Sequence, residues 1–261
     1  MKISIVTPSW NQGRFFRRCL ESIHTVPGVA LEHIVLDNCS NDETPGLLAE
    51  FAARQDGVER RFIVEKDEGQ TRAINDGFRM ATGDVLCWLN TDEYYHDGTL
   101  ETVANFLQLN PQVDVVYGDC DFVDADNRLV KRRRSFDFSA SMLLYYGCYI
   151  SSCATFLRRR IIDAGEFLDP DFRVAMDYEY YTRLAAHGYA FDHISKPLAS
   201  FTWHEANISR QQKQRSREER SRIQATYSGI PGPDPLRRPI FDALAICWRG
   251  VRGLKRISGQ T

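Results

Sequence analysis

The chain has 261 residues, of which 43% are hydrophobic and 26% are charged, and its formal net charge is −2. This composition is that of an ordinary globular domain, and it excludes a nucleic-acid-binding role that relies on a strongly basic surface. The charge is uneven, because the segment from Glu205 onward has 12 Lys/Arg against 5 Asp/Glu, whereas the preceding residues have 21 against 30. The body of the protein is therefore acidic and its C-terminal segment basic.

Strands and helices alternate over the first 118 residues. Apolar, β-branched runs predict strands at residues 3–6, 31–36, 62–64, 85–89 and 113–117. Apolar residues at helical spacing predict helices around residues 15–23, 45–51, 71–81 and 99–109. This alternation predicts an α/β fold with a doubly wound, mainly parallel sheet, whose ligand crevice lies at the carboxyl ends of the strands.

The pattern changes beyond Gly118. Runs at 120–123 and 129–132 flank the turn-forming segment Asp124–Arg128 and predict a hairpin. Apolar stretches at 149–157 and 190–203 enclose a predicted helix at 175–187. We interpret residues 1–118 and 119–208 as two halves of the same domain, of which the second completes a mixed sheet.

Residues 209–261 are interpreted as a basic helical extension. It comprises a polar, Arg-rich helix at 209–226, a Gly/Pro-rich linker at 228–239 and a final helix at Ile240–Ile257. The final helix mixes apolar and basic residues. It could lie on an anionic membrane surface, or pack on its own domain or on a second subunit as a homodimer contact, and we favour packing.

The seven cysteines include no C-x-x-C pair and predict neither a zinc site nor a disulfide framework. The apolar run at the N-terminus is too short for a secretory signal, and no stretch approaches the roughly 18 apolar residues of a membrane span. We therefore expect a cytoplasmic protein that could meet the inner face of the membrane only peripherally.

The segment Asp84–Glu93 organises the chain. A short apolar run ends abruptly in Asn90, Thr91, Asp92 and Glu93, as happens when a buried strand delivers polar groups to a sheet edge. Carboxylates in this position can hold Mg²⁺ or Mn²⁺ beneath a diphosphate. The alternative is a solvated turn before the next helix.

The phosphate-binding motifs of common nucleotide folds are absent from the sequence. There is no G-x-G-x-x-G after the first strand and no G-x-x-x-x-G-K-[ST]. A nucleotide pocket would therefore be built from side chains, with Thr7, Pro8 and Asn11 after the first strand and Asp37 after the second. Asp37 could bind a base or a ribose, or it could serve only its own turn.

Four segments resemble the successive motifs of family-2 glycosyltransferases. They are Ser4–Asn11, Asp37–Thr44, Asp67–Gly77 and Ala81–Glu93. Their order and spacing match over residues 3–93, and a looser match continues to about residue 209. The resemblance implies a GT-A (nucleotide-diphospho-sugar transferase) fold, which is a Rossmann-like mixed sheet flanked by helices, an inverting mechanism, a nucleotide-diphosphate sugar donor and Mn²⁺ or Mg²⁺.

The resemblance also makes residues 1–118 the donor-binding half and residues 119–208 the acceptor-binding, catalytic half, and it implies roles for individual residues. The positions of Thr7, Asn11 and Asp37 line the nucleoside pocket in that family, and the D-x-D-like turn that holds the metal falls on Asp92. His204 matches a position that can reach the metal or the diphosphate. The predicted donor-binding residues are completed by Pro8, Arg72, Asn90 and Thr91.

An inverting transfer needs a base opposite the leaving diphosphate. Asp177 matches the acidic motif that begins the helix beneath the acceptor, although an aspartate there could simply cap the helix. Glu179 is a weaker alternative.

The sequence departs from the family pattern in three places. Asn38 stands where Gly is common, a substitution that suits a left-handed backbone. Asn90 and Glu93 replace acids that often surround the metal-binding aspartate. The Q-x-x-R-W motif and membrane spans of processive polymerases are missing, which favours the transfer of a single sugar.

These features predict an inverting glycosyltransferase that uses a UDP-, dTDP- or GDP-sugar. Its acceptor would be a glycan or a lipid-linked sugar, in cell-surface polysaccharide biosynthesis, with no nucleic-acid partner. The alternatives are a non-catalytic nucleotide-sugar binding or scaffold protein and a sugar-phosphate nucleotidyltransferase. The latter would show a Gly-rich basic loop after its first strand, which Thr7–Gly13 is not.

Overall fold

The computed structural model describes residues 1–205 and 207–229, together with Ala243, Leu244 and Ile246. Within these residues the strands are β1 (Lys2–Ser9), β2 (Ala30–Asp37), β3 (Val58–Val64), β4 (Val85–Trp88), β5 (Glu93–Tyr95), β6 (Val115–Val123), β7 (Leu129–Arg133), β8 (Thr155–Arg158) and β9 (Phe191–Thr202). The helices are α1 (Gly13–Ser22), α2 (Thr44–Ala52), α3 (Gln70–Met80), α4 (Thr99–Leu109), α5 (Arg159–Asp163), α6 (Met176–Ala186), α7 (Ile208–Gln211) and α8 (Lys213–Tyr227). A π-helical turn spans Met142–Tyr146 and a 3-10 turn spans Ser152–Ala154.

These strands form one mixed sheet in the order β3-β2-β1-β4-β8-β6-β9-β5, with β7 paired to β6. Strands β3, β2, β1 and β4 are parallel, as the alternation of strands and helices predicts. Strand β8 is antiparallel to both of its neighbours, and β5 is antiparallel to β9. The predicted α/β class, the parallel first half and the mixed completion of the sheet are confirmed.

Helices cover both faces of the sheet, and successive residues of a strand are therefore buried on opposite faces. Ile3 and Ile5 of β1 belong to a buried cluster with residues of α1, α2 and α4, whereas Val6 faces the opposite cluster, which includes residues of α3, α6 and α8. Helix α3 lies so close to β1 that a Cβ atom at Gly77 would overlap the Val6 side chain. Helix α3 therefore packs closely against β1 near the carboxyl end of that strand.

The second half differs from the sequence-based expectation in one respect. Residues 113–117 and 120–123 were expected to be separate strands, but β6 runs without a break through Gly118. A Cβ atom there would overlap Leu198 of the neighbouring strand, so the glycine permits close packing and does not end the strand. The hairpin of β6 and β7 and the helix α6 lie where they were predicted.

The Arg-rich helix predicted at 209–226 is present as α7 and α8. Helix α8 packs on α6, where Ile223 is fully buried and the Tyr227 hydroxyl donates to Glu179 Oε1 at 2.9 Å. No helix among the described residues is long and apolar enough to cross a membrane. Apart from a few isolated residues, the predicted linker at 228–239 and the helix at Ile240–Ile257 lie outside the described residues.

Candidate active site

A cleft of about 600 Å³ opens at the carboxyl ends of β1, β2 and β4. The cleft is lined by the turns after these strands, by the β6–β7 hairpin, by residues 150–153, by the start of α6 and by residues within 201–208. Ligands of parallel α/β sheets bind at this edge, because strand ends and helix N-termini converge there. The predicted site residues that line the cleft are Pro8, Asn90, Thr91, Asp92 and Asp177.

Asp92, His204 and Asn207 form a hydrogen-bonded cluster at the cleft. His204 Nε2 lies 2.9 Å from Asp92 Oδ2, and Asn207 Nδ2 donates to the same oxygen at 3.0 Å. Asn207 Oδ1 accepts the backbone N–H of His204 at 2.7 Å, which fixes the orientation of its amide. The His204 ring also stacks on Phe15 of α1, with centroids 4.6 Å apart. The fold thus brings together two predicted metal ligands that are 112 residues apart in sequence.

The Asp92–His204 pair fits a divalent cation. A carboxylate oxygen and an imidazole nitrogen are both acceptable ligands for Mn²⁺. Adjacent ligands of an octahedral ion with bonds of about 2.1 Å lie about 3.0 Å apart, and these two atoms are 2.9 Å apart. Within the described residues no group of three or more His, Cys, Asp or Glu side chains could hold a metal ion. The described part of the chain therefore offers two ligands, and a bound diphosphate and water would complete the coordination shell.

Glu93 faces away from a role as a third ligand. Its side chain is buried, and its Oε2 accepts the backbone N–H of Asn90 at 2.8 Å. Burial, reinforced by the charge of Asp92, raises the pKa of Glu93 well above its usual range, which favours its neutral form. The Asn90 side chain is held by Gln70, whose Nε2 donates to Oδ1 at 2.6 Å. Glu93 therefore stabilises the turn that presents Asp92.

Two of the predicted donor residues, Thr7 and Asp37, are buried below the cleft. The Thr7 hydroxyl lies 2.9 Å from His33 Nε2, inside the sheet. The Asp37 carboxylate accepts the backbone N–H of Ser40 at 2.8 Å and the Ser40 hydroxyl at 2.6 Å. The left-handed residue of this turn is Cys39, with φ +53°, and Asn38 does not take that conformation. In this structure Asp37 performs the turn chemistry that the sequence allowed.

Asn11 and Arg72 flank the cleft without lining it. Asn11 Oδ1 accepts the backbone N–H of Asn41 at 2.9 Å, which joins the loops after β1 and β2. Arg72 is exposed and pairs with Glu68 at 3.0 Å, one turn away. An exposed pair of this kind contributes little to stability, so Arg72 remains available for another partner.

Asp177 lies in the first turn of α6 and is half-buried at the cleft. Its Oδ1 accepts the backbone N–H of Tyr178 at 2.7 Å. Desolvation raises the pKa of Asp177, although the nearby charges of Arg133 and Arg220 oppose this shift. Glu179 points the other way and pairs with Arg183 at 2.9 Å, so it stabilises the packing of α6. Of the two candidate bases, Asp177 is the one that lines the cleft.

Several lining residues were not predicted from the sequence. They are led by Trp10, Asn38, Asp67, Arg133, Arg173 and Asn207. Trp10 is 63% exposed, which is unusual for a tryptophan and could have been suspected from its position between Pro8 and Asn11. The spacing His204-x-x-Asn207 was a further signal, because both side chains meet Asp92. Arg133 lies in the basic run at 131–134, a pattern that is typical of a solvated face, and no neighbouring residue distinguishes it from the others.

The fold resembles those of solved glycosyltransferases of the GT-A type. Over 87% of this chain and 71% of the other, Staphylococcus aureus TarS in complex with UDP-GlcNAc superposes with a TM-score of 0.66 at 17% identity. The mannosyltransferase PcManGT of Pyrobaculum calidifontis, in complex with GDP-Man and Mn²⁺, gives a TM-score of 0.66 at 20% identity over 93% of this chain and 68% of the other. The predicted GT-A fold is therefore confirmed.

Sequence comparisons agree with the structural ones. Chondroitin synthase of Escherichia coli is 25% identical over 207 residues, which cover 79% of this chain and 30% of the synthase. In general the chain spans about half or less of the sequence relatives that it matches. The family model described as "Glycosyl transferase family 2" matches residues 4–181. The chain belongs to glycosyl transferase family 2.

Proposed function

We propose that this protein transfers a single sugar, with inversion, from a nucleotide-diphosphate sugar to a glycan or lipid-linked acceptor. The observation that supports this best is that Asp92 and Asp177, from the two halves of the domain, line the same cleft. Transfer by direct displacement needs a cation at the leaving diphosphate and a base on the opposite side of the anomeric carbon. We assign the first role to Asp92 and the second to Asp177.

The donor would bind along the wall formed by the turns after β1, β2 and β4. The exposed ring of Trp10 offers a stacking surface for a nucleobase, next to Pro8. Asn90 and Thr91 lie between this surface and Asp92, near the expected diphosphate. Asp37 and Asn11 would act by holding the loops, or Asp37 would exchange its Ser40 contacts for the nucleoside.

Asp92 and His204 would hold Mn²⁺ or Mg²⁺. When bound, that ion neutralises charge on the diphosphate as it leaves. Asp177 takes the proton from the acceptor hydroxyl, so that the oxygen can form the new glycosidic bond while the bond to the diphosphate breaks. Desolvation raises the pKa of Asp177, which makes it a stronger base than a solvated carboxylate.

We further propose a UDP-, dTDP- or GDP-sugar as donor and a role in cell-surface polysaccharide synthesis at the cytoplasmic side. The similarity to chondroitin synthase supports a glycan acceptor. Contact with a membrane, or with a second subunit, would fall to Ile240–Ile257.

A thermal-shift panel of nucleoside diphosphates and their sugars tests the donor site, with Mn²⁺, Mg²⁺ or EDTA. Ligand at 100 times its Kd should stabilise the protein by about 2.7 kcal/mol, a shift of a few degrees. We expect a metal-dependent shift with one nucleotide type that is lost in Asp92→Ala. The exposed surface variant Asp76→Asn is the control.

A transfer assay separates the enzyme from a binding protein. Asp177→Asn should abolish transfer while the donor-induced thermal shift persists. No shift with any nucleotide, or full transfer by Asp177→Asn, would contradict the proposed function.

A further inference from the structure

Three arginines lie in the region of the proposed base, Asp177. Arg133 of β7 and Arg173, in the loop before α6, both line the cleft. The Arg220 guanidinium of α8 lies 5.6 Å from the ring of Tyr178, the residue next to Asp177. Desolvation raises the pKa of Asp177, and the charges of Arg133 and Arg220 act against that shift, as expected of cations close to its carboxylate.

These cations are not neutralised by the protein. Among the described residues none of the three forms an ion pair with an acidic side chain, whereas Arg183 of the same region pairs with both Glu166 and Glu179. Arg133 donates to the backbone oxygen of Cys148. Arg173 is fixed through its backbone N–H, and its side chain is exposed. Uncompensated guanidinium groups in a cleft attract anions.

The three arginines do more than keep Asp177 ionised. None of the three guanidinium groups forms an ion pair with Asp177 in the described structure, and the carboxylate instead accepts the backbone N–H of Tyr178 at 2.7 Å. The donor diphosphate does not account for these arginines either, because the side chains described in contact with the Asp92 carboxylate are His204 and Asn207, and neither Arg133 nor Arg173 is among them. The guanidinium groups are therefore available to a second substrate that also reaches the base.

The cleft also carries aromatic side chains. Phe122, Phe201 and Trp203 line the cleft, and the Phe122 ring lies 5.2 Å from that of Phe201 and 6.0 Å from that of Trp203. Trp203 is 41% exposed. The apolar face of a sugar ring packs well on such a surface, and guanidinium groups then select its polar substituents.

We infer that the acceptor is a carbohydrate that bears a phosphate or carboxylate group, held by Arg133 and Arg173 with its ring against the aromatic side chains. Guanidinium groups match both anions through paired N–H···O bonds, which a neutral sugar cannot accept with the same strength. This inference rests on the proposed function, because it takes Asp177 as the base of the acceptor site.

The test compares three matched pyranoses, namely glucose, glucuronate and glucose 6-phosphate, together with inorganic phosphate. Binding is measured by saturation-transfer NMR on the full chain, saturated with diamagnetic Mg²⁺ and the nucleoside diphosphate found in the thermal-shift panel. We expect both anionic sugars to bind about tenfold or more tightly than glucose. The stronger of the two identifies phosphate or carboxylate as the natural group.

The variants Arg133→Gln and Arg173→Gln should each remove this preference. Arg132→Gln is the matched control, because it is the exposed neighbour of Arg133 on the same strand and does not line the cleft. The Arg173→Gln variant is expected to fold, because the hydrogen bond described for Arg173 uses its backbone N–H.

Equal binding of glucose and the anionic sugars would overturn the inference, as would the absence of binding by any anionic probe. So would a preference that survives both cleft substitutions, or anion binding that the nucleotide abolishes, because that would assign the cations to the donor diphosphate. Each of these results leaves the donor-induced thermal shift intact, whereas failure of the proposed function would remove that shift itself.

Discussion

The carboxylate of Glu219, on α8, accepts the backbone N–H of Ala175 at 2.8 Å, directly before the helix that carries Asp177. It also accepts the N–H groups of Arg173 at 3.0 Å and Val174 at 2.9 Å. These donors at the start of α6 have no partners within the helix, so a carboxylate from another element replaces the missing cap. The C-terminal helix thus fixes both Asp177 and the loop of Arg173.

Removing the charge of Glu219 should loosen this loop. Hydrogen bonds to charged groups are worth about 1.5–3 kcal/mol, so we expect Glu219→Gln to lower the free energy of unfolding by about that amount and to slow sugar transfer. The measurement is urea unfolding together with a transfer assay. Glu218→Gln is the control, because Glu218 is exposed and its Oε1 accepts only from Gln214 among the described residues.

The effect of Glu219→Gln should depend on pH. Burial raises the pKa of Glu219, but the hydrogen bonds from Arg215 and the backbone outweigh it and lower the pKa overall. A carboxyl group with a lowered folded pKa stabilises the protein above its unfolded pKa, and the stabilisation is lost as the pH falls through the folded pKa. The difference between wild type and variant should therefore shrink on acidification. A difference that grows at low pH would contradict this role.

Asn207 is expected to position both metal ligands. It donates to the Asp92 carboxylate at 3.0 Å and accepts the backbone N–H of His204, so Asn207→Ala removes one hydrogen bond from each of the two ligand residues. Losing such outer contacts typically weakens metal binding by about 10–100-fold. Electron paramagnetic resonance of Mn²⁺, with a nucleoside diphosphate present, measures the affinity directly.

The control for Asn207→Ala is Asn110→Ala. That residue donates to the Phe106 carbonyl oxygen at 2.8 Å, away from the cleft, so its loss tests the general cost of removing an asparagine contact. Mn²⁺ affinity that is unchanged in Asn207→Ala would rule out the positioning role.

The parallel half of the sheet was predictable because its signals are local. Periods of 2 and 3.6 residues in the apolar pattern decide β1 to β4 and their helices, and polar residues after each strand indicate the functional edge. Strand β5 was not predicted, since it is three residues long and its partner is β9, with Glu93 opposite Phe201. A pairing between segments about a hundred residues apart leaves no periodic trace in either.

The site was predictable in residue type more than in orientation. Asp92 and Asp177 line the cleft, but Thr7 and Asp37 face other side chains. Successive residues of a strand point to opposite faces, so a motif at a strand end does not say which of two neighbours reaches the ligand. Arg133 was not predicted for a different reason: basic runs such as 131–134 are common on surfaces, and only the tertiary fold brings Arg133 near Asp177. Arg173 lies four residues before Asp177, but nothing in its local sequence indicates that its side chain lines the cleft.

Glu93 is expected to act as a neutral side chain. Burial raises its pKa well above the usual range, so Glu93→Gln keeps both its shape and its bond from Asn90 and should change the free energy of unfolding by less than about 1 kcal/mol. Glu93→Ala leaves a cavity and an unpaired N–H and should cost about 2–4 kcal/mol. Urea unfolding gives both values. A loss of the metal-dependent thermal shift in Glu93→Gln alone would show instead that Glu93 is an ionised ligand.

The pH dependence of transfer should report on Asp177. Desolvation raises the pKa of Asp177, and Arg133 lowers it. Because the base must be ionised, the acidic limb of kcat/KM should lie above the value of about 3.9 for a free aspartate. Arg133→Gln should move that limb to higher pH, and Arg132→Gln should leave it in place. If the acidic limb does not move in Arg133→Gln, Arg133 does not influence the pKa of the base.

The same shift makes Asp177 a cost to stability at neutral pH. A carboxyl group whose folded pKa exceeds its unfolded value binds more protons in the folded state, so the free energy of unfolding falls as the pH rises between the two values. Asp177→Asn removes this penalty while keeping the size of the side chain. The Tm of the variant relative to wild type should therefore increase between about pH 4 and pH 7 in scanning calorimetry. A relative Tm that decreases over that interval would mean that the carboxylate is stabilised in the fold, and its assignment as a desolvated base would fail.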